Sequence, residues 1–353
     1  MMRSEAVKPA VNRSMKPYLA KLSEREDLTF EEMSEAVSIL LLDAVSDSEI
    51  AALLMALKAK GETVEEIAAL VEVLRRHAMP IRRHIDGVMD NCGTGGDGSN
   101  SFNISTTSAF VLAGAGVKVA KHGNRSITSK TGSSDVLGEI GVSLSFDTED
   151  IDTLLDKNDI AFLFAPHAHP KIKQIMKVRH DLKVPTIFNL IGPLINPVSL
   201  DYQFLGVYRK DKVEMMAQVL KRLGRKRAVV INGAGSMDEA SLLGENHMTM
   251  LADGEITNMT FTPESVGLPT YPKEAITGGD SGENAQILLD VLSGRATPAQ
   301  RDTILLNAGL GLFSAERAET IEEGIEKARE SIDSGRALAK LNHLVTYTQE
   351  GGI

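Results

Sequence analysis

Two segments between Asp90 and Asp135 carry the residue types that hold a polyanion: Gly93-Thr94-Gly95-Gly96-Asp97-Gly98, then Lys121-His122-Gly123-Asn124-Arg125-Ser126. From Gly98 through Ser134 there is no Asp or Glu, although the chain has a formal net charge of -10. Lys118, Lys121, Arg125 and Lys130 stand there among Gly, Ser, Thr and Asn, the make-up of loops that wrap phosphate oxygens with backbone N–H groups and a few cations. Further on, Asp238-Glu239 offers adjacent carboxylates. On a loop such a pair is free of the core and reads either as solvated surface or as the few protein oxygens magnesium takes while bridging to substrate phosphates. Cys92 invites a nucleophile reading, but no base is identifiable beside it and a small buried residue is the better account. His167 and His169 lack two further ligands for a zinc site and read as turn structure.

Gly93, Gly95 and Gly98 satisfy G-x-G-x-x-G, so a dinucleotide site has to be weighed. Such a site needs an Asp or Glu roughly 20 residues on for the ribose, and here the next strand ends in Lys121-His122. The run from Gly98 to Asn103 also postpones the helix. A P-loop fails outright, because no Gly-Lys-Ser/Thr follows at the required distance.

The elements that must position these residues follow from periodicity. Thr29 with Glu32, Ser46 with Glu49 and Thr63 with Glu66 have capping-box spacing, and each precedes an apolar stripe of helical period. The stripes are Met33, Ala36, Val37, Leu40, Leu41 and Ala44; then Ile50, Leu53, Leu54 and Leu57; then Ile67, Leu70, Val71 and Leu74. Gly61 and Pro80 end the second and third. After Pro80, strands at 88–92, 117–120, 160–164, 204–208 and 228–231 alternate with helices such as 105–114, which implies a mostly parallel sheet covered by helices. A hairpin over 250–261 turns at Asp253-Gly254. Helical patterns return from Glu283 to the C-terminus, with Pro298 opening one and Gly335 interrupting the last. The fold class is therefore α/β: a small N-terminal helical domain plus a large α/β domain with a mostly parallel central sheet flanked by helices.

With 353 residues and 42% hydrophobic content the chain exceeds what a single core usually serves, so two domains are expected. One cysteine rules out an intrachain disulfide and suits a reducing compartment. No apolar run approaches about 18 residues and none marks a secretory signal, so no membrane association is expected and the location is expected to be cytoplasmic. The acidic balance argues against nucleic acid, which demands clustered Lys and Arg.

The runs Asp90 to Asp97, Asn103-Ile104-Ser105-Thr106, Lys121 to Ser134 and Phe188-Asn189-Leu190-Ile191-Gly192-Pro193-Leu194-Ile195-Asn196-Pro197 resemble the anthranilate phosphoribosyltransferase family. The similarity extends to Asp238-Glu239, to Gly278-Gly279-Asp280 with Glu283-Asn284-Ala285, and to Leu306-Asn307-Ala308, so it covers nearly the whole chain. It implies a helical domain over 1–84, joined by a helical segment at about 168–195, and a large phosphoribosyl pyrophosphate-binding domain over 85–353. The implied reaction is transfer of a phosphoribosyl group to the amine of anthranilate, with pyrophosphate released, in tryptophan synthesis. A neutral arylamine already has its lone pair free, so the chemistry asks for positioning and stabilisation of the leaving group rather than a strong base.

Carried over residue by residue, the resemblance assigns Gly93, Gly96, Asp97, Ser101, Asn103, Ile104, Ser105 and Thr106, then Lys121, His122, Gly123, Asn124, Arg125, Ser126, Ile127, Thr128 and Ser129, and finally Ser133, to phosphoribosyl pyrophosphate. It assigns Gly93, Asn124 and Arg179 to anthranilate, and Ser105, Asp238 and Glu239 to Mg2+. Arg179 suits a carboxylate because its planar fork pairs bidentately. The family places a proline where this chain has Lys177, two residues before it. His122 is read either as a donor to the acceptor or as a residue that holds its loop. The resemblance also suggests a homodimer. A nucleoside phosphorylase of the same fold is the alternative, but it expects no tandem acidic pair. A nucleic-acid-binding relative would have lost the Gly-Thr-Gly-Gly-Asp loop and gained basic surface.

Overall fold

The computed structural model describes residues 14–42, 44–81, 83–124 and 131–351. Arg125, Ser126, Ile127, Thr128 and Ser129, assigned above to the second loop, lie outside the described residues, as does Lys130. The described residues open with four helices, α1 (Lys16–Ser23), α2 (Phe30–Leu40), α3 (Asp47–Lys60) and α4 (Val64–Arg76). All three capping boxes form: each Ser or Thr side chain accepts from the N3 backbone, and each Glu accepts from the cap N–H. A cap of this kind is worth about 1 kcal/mol, so these helix starts are well defined by local sequence. Glu66 does more than cap. It is fully buried, and its carboxylate also accepts from Leu28 N at 3.0 Å and from Lys60 Nζ at 3.0 Å, tying α3, α4 and the start of α2 together.

The expected apolar stripes are the buried faces, with one correction. The first stripe was expected to reach Ala44, but α2 stops at Leu40, Leu41 is only half-buried and Ala44 is exposed. The chain turns there toward the Ser46 cap, so periodicity continued past the end of the helix.

Among the described residues seven strands form one sheet: β1 (Val88–Asp90), β2 (Lys118–Gly123), β3 (Ile160–Phe164), β4 (Tyr202–Gly206), β5 (Arg227–Asn232), β6 (Asn246–Ala252) and β7 (Glu255–Phe261). Their order is β3-β2-β1-β4-β5-β6-β7, parallel through β5, with β6 and β7 added antiparallel. The order reverses between β1 and β4. In an open parallel sheet the crevice at that switch point, beyond the carboxyl ends of the strands, is the natural place for a ligand. β4 ends at Gly206, earlier than the sequence pattern implied, because the Asp238 backbone lies against it so closely that a β-carbon would strike the Asp238 carbonyl. β6 begins at Asn246, four residues earlier than expected, because its polar start still pairs with β5 at His247.

Between strands the chain supplies α5 (Ile104–Gly114), α6 (Ser133–Glu139), α7 (Thr148–Lys157), α8 (Ala165–Ala168), α9 (Lys173–Leu182), α10 (Phe188–Ile191) and α11 (Val213–Arg222). It closes with α12 (Ser281–Leu292), α13 (Pro298–Ser314), α14 (Ile321–Asp333) and α15 (Arg336–Gln349). Gly335, at φ +75, separates the last two. One apolar core lies where α5, α13, α14 and α15 meet the sheet. A second runs from α2, α3 and α4 through α11 to Leu205, Ala228 and Val230 of the sheet, and it also takes in Ile175 and Val178 of α9 and Phe188 and Leu190 of α10.

The segment between β3 and β4 thus leaves the sheet and packs with the N-terminal helices. Lys177, standing where the family has proline, places its Nζ 2.6 Å from Asp47 Oδ2 at the start of α3. Gln174 Nε2 donates to Val45 O at 2.9 Å and to Asp47 Oδ1 at 3.2 Å. Side-chain bonds therefore hold α9 on α3.

Candidate active site

The switch-point crevice is a cavity of about 460 Å³. Gly93, Gly96, Asp97, Ser101, Asn103 to Thr106, Lys121 to Asn124, Ser133, Arg179, Asp238 and Glu239 all line it. Every described residue singled out from the sequence as a site candidate therefore meets in one place, although the first and last are separated by more than a hundred positions.

Its floor is the loop after β1. Gly96, which lines the cavity, holds φ +82, a conformation that L side chains adopt only at a cost. Gly93 is needed for a different reason: a β-carbon there would collide with the Asp238 side chain and sit 2.6 Å from its carbonyl oxygen. The loop leads into α5, whose N-terminal residues line the same space, so the positive end of that helix's dipole adds to the attraction for an anion. Lys121, at the end of β2, is almost wholly buried, and its Nζ donates to Ser105 Oγ at 3.2 Å.

Asp238 and Glu239 are not free of the core, contrary to expectation. Asp238 Oδ2 accepts from Gly95 N at 2.6 Å, and the buried Glu239 accepts from Ser105 N at 3.1 Å. Burial, followed by repulsion from Asp97, pushes Asp238 up to about 7; burial and then Asp238 push Glu239 well above its usual range. Asp97 Oδ2 is itself buried without a partner. These acceptors crowd together beside the Ser105 hydroxyl, and a divalent cation sharing substrate oxygens would satisfy them, so the donor set fits magnesium. Among the described residues, no three His, Cys, Asp or Glu side chains group so as to hold a metal ion by themselves.

The opposite wall comes from α9 and α10. Arg179 is largely withdrawn from water, and this burial lowers its pKa to about 10. Its Nη2 donates to Asn189 Oδ1 at 3.3 Å, and its guanidinium lies 5.3 Å from the centre of the Phe188 ring. Among the described residues it has no carboxylate partner, so it is a cation without its counter-charge. Ile172, Met176, Phe188, Ile191 and Ile195 surround this end of the cavity. That apolar room was missed in the sequence, although the 188–197 run and helix 173–182 contain it; nothing in their local pattern shows which apolar side chains face a ligand rather than a core.

His122 closes the wall between the two halves. Its Nδ1–H donates to Gly192 O at 3.0 Å, while Nε2 is sealed from solvent with no partner. Burial, then the edge-on ring of His169 with its centroid 5.4 Å away, lowers His122 to about 3, so the imidazole is neutral. With one nitrogen bonded and the other sealed, this geometry favours the loop-holding reading. Cys92 is buried and donates to Asp90 Oδ2 at 3.4 Å, and burial with the Asp90 charge pushes the thiol well up, the opposite of an activated nucleophile. His169 is buried beside His122.

Comparison with known proteins gives the class first. Residues 16–78 match the helical bundle domain of the glycosyl transferase family, and residues 86–338 match its a/b domain. Within that class the chain belongs to the anthranilate phosphoribosyltransferase family. It is 60% identical over 336 residues to the anthranilate phosphoribosyltransferase of Bacillus mycoides (strain KBAB4), covering 95% of this chain and 98% of that one. With the enzyme of Exiguobacterium sibiricum it is 60% identical over 339 residues, covering 96% of this chain and 100% of the relative. The crystal structure of the Thermus thermophilus enzyme superimposes with a TM-score of 0.89 at 39% identity, over 94% of this chain and 99% of that one. The Saccharomyces cerevisiae enzyme in complex with PRPP and Mg does so at 0.88 and 28% identity, over 96% and 99%.

Proposed function

We propose that this chain is a pentosyltransferase that moves the phosphoribosyl group of 5-phosphoribosyl 1-pyrophosphate to the amine of anthranilate, releasing pyrophosphate, in tryptophan biosynthesis. The observation that carries the reading is the division of one cavity into an anion cradle and an apolar chamber that ends in an arginine with no carboxylate partner among the described residues. The cradle suits a substrate that carries a pyrophosphate as well as a monophosphate. The chamber suits a flat aromatic acid.

The residues act by position and field. The backbone N–H groups of the 93–98 loop not already bonded to Asp238 or Gly206, with the positive end of α5 and Lys121, hold the pyrophosphate and stabilise the charge that gathers on it as its bond to the anomeric carbon lengthens. Arg179 pairs with the anthranilate carboxylate and exchanges poor partners for a charged one, with Gly93 and Asn124 beside it; the amine is thereby aimed at the sugar carbon. His122 stays neutral and holds the second loop on Gly192. Ser105, Asp238 and Glu239 would hold Mg2+, which when bound neutralises leaving-group charge. Arg125, Ser126, Ile127, Thr128, Ser129 and Ser133 complete the donor site in this reading.

The same reading divides the chain into a helical unit, 1–84 with the segment at about 168–195, and an α/β unit over 85–353, on the ground that α9 and α10 share the apolar core of α3 and α4. It includes a homodimer and a cytoplasmic location. Among the described residues no helix is long and apolar enough to cross a membrane. The deciding experiment measures pyrophosphate release from phosphoribosyl pyrophosphate, with magnesium, in the presence and absence of anthranilate. Release that depends on both anthranilate and magnesium is expected; release indifferent to anthranilate would mean the chamber serves another acceptor.

A further inference from the structure

The Gly278-Gly279 and Asn284 motif lies outside the chemistry described so far, yet it is docked on the donor side of the cavity. Gly278 N donates to Asn100 O at 2.8 Å, and Thr131 Oγ1 donates to Gly279 O at 3.2 Å, so this segment touches both the phosphate loop and the far end of the second loop. Asn284, buried near the start of α12, makes two bonds from its amide. Its Oδ1 accepts from Gly279 N at 2.8 Å, and its Nδ2 donates to Asn103 Oδ1 at 3.0 Å.

The polarity of this chain of bonds follows from its first member. A backbone N–H can only donate, so the Asn284 atom facing it is the oxygen and the other is the NH2 group. The Asn103 atom facing that NH2 must in turn be an oxygen. Asn103 is left with its own NH2, which has no partner among the described residues and belongs to a side chain lining the cavity.

We propose that Asn284 is a positioning residue: it fixes the orientation of the Asn103 amide so that two N–H donors, rather than a carbonyl oxygen, face the bound phosphoribosyl pyrophosphate. Without it, Asn103 is free to turn either way at the mouth of α5. The wrong rotamer would set an oxygen against an anion. The inference rests on the donor-site reading given above.

The test is Asn284→Asp in the full-length enzyme. The aspartate still accepts from Gly279 N–H, but its second oxygen now faces Asn103 and is satisfied only if Asn103 rotates its NH2 away from the substrate. The KM for phosphoribosyl pyrophosphate should rise roughly ten- to a hundredfold, the scale of a hydrogen bond to a charged group, while that for anthranilate changes less than about threefold. A double-mutant cycle supplies the readout that a merely structural role would not move. Asn103→Ala alone should weaken phosphoribosyl pyrophosphate, and Asn284→Ala added to it should cost nothing further, because the two act through one contact. Losses that multiply, or a KM for phosphoribosyl pyrophosphate unchanged in Asn284→Asp, would overturn the proposal. Asn103→Asp guards against a folding defect: it keeps the acceptor that Asn284 needs and should melt with the native protein, yet lose affinity in calorimetry with phosphoribosyl pyrophosphate and magnesium. Retained affinity there overturns the proposal as well. Should the native enzyme itself fail to bind phosphoribosyl pyrophosphate, the reading of the function falls first; native binding with indifferent variants sinks only the role of Asn284.

Discussion

A guanidinium withdrawn from water beside an aromatic ring is costly to keep unless something repays its desolvation, and among the described residues Arg179 has only an amide oxygen, a thioether and the Phe188 face for partners. Its best partner is a carboxylate brought by a ligand. Arg179→Ala should therefore raise the KM for anthranilate far more than that for phosphoribosyl pyrophosphate, by roughly 2–4 kcal/mol, or about thirty- to a thousandfold in specificity. Lys at 179 should rescue only part, since it keeps the charge but not the fork. Aniline, lacking the carboxylate, should be a poor acceptor for native enzyme and lose little more in the variant. An equal penalty on both substrates would move Arg179 to the phosphate side. At this scale the sequence was informative wherever residue type alone implied chemistry, as with Arg179, Lys121 and the glycines. It was misleading for Asp238 and Glu239, because a loop position says nothing about whether Gly95 N and Ser105 N will close over the carboxylates.

Among the elements, the strongest sequence signals were those enforced locally. Thr63 and Glu66 cap α4 with bonds three residues apart, so the helix start was legible without any knowledge of tertiary structure. The ends of β4 and β6 were not, because they are set by the Asp238 backbone against Gly206 and by pairing of His247 with Asn232, both long-range events. The loop after β1 is an intermediate case. Its glycines were visible, and Gly96 at φ +82 shows what they are for. Gly96→Val puts a β-branched side chain into that region, at a cost of order 1–3 kcal/mol that the loop can relieve by turning its N–H groups away. Calorimetry should then detect no binding of phosphoribosyl pyrophosphate, while the thermal transition shifts only modestly. A variant that binds like native protein would reduce the loop to a connection between β1 and α5.

At the scale of the whole molecule, the join between the helical segment and the sheet buries an imidazole whose charge state affects the stability of the entire fold. His169 follows α8 where Met79 N, beyond α4, donates to Ala168 O at 2.8 Å, and its own ring is buried against His122. Burial lowers it to about 4, the Ile195 backbone offsetting part of the effect. The folded protein therefore holds the ring neutral, whereas the unfolded chain takes up a proton near pH 6.5. Stability from this site is fully present above about 6.5 and is lost as pH falls toward about 4, where the folded ring protonates too; the loss is at most about 3 kcal/mol. Asp238 and Glu239 run the other way, since their raised values cost stability as pH rises, so the native curve alone mixes opposing trends. The difference between native protein and His169→Asn removes the carboxylates, which are common to both, and leaves the His169 imidazole together with its coupling to His122. Chemical denaturation of the two from pH 4 to 8 should show native stability falling relative to the variant below about 6.5 and the difference levelling near 4. Parallel curves across that range would mean that His169 is solvated in solution and that the α4 to α9 join opens far more than its hydrogen bonds imply.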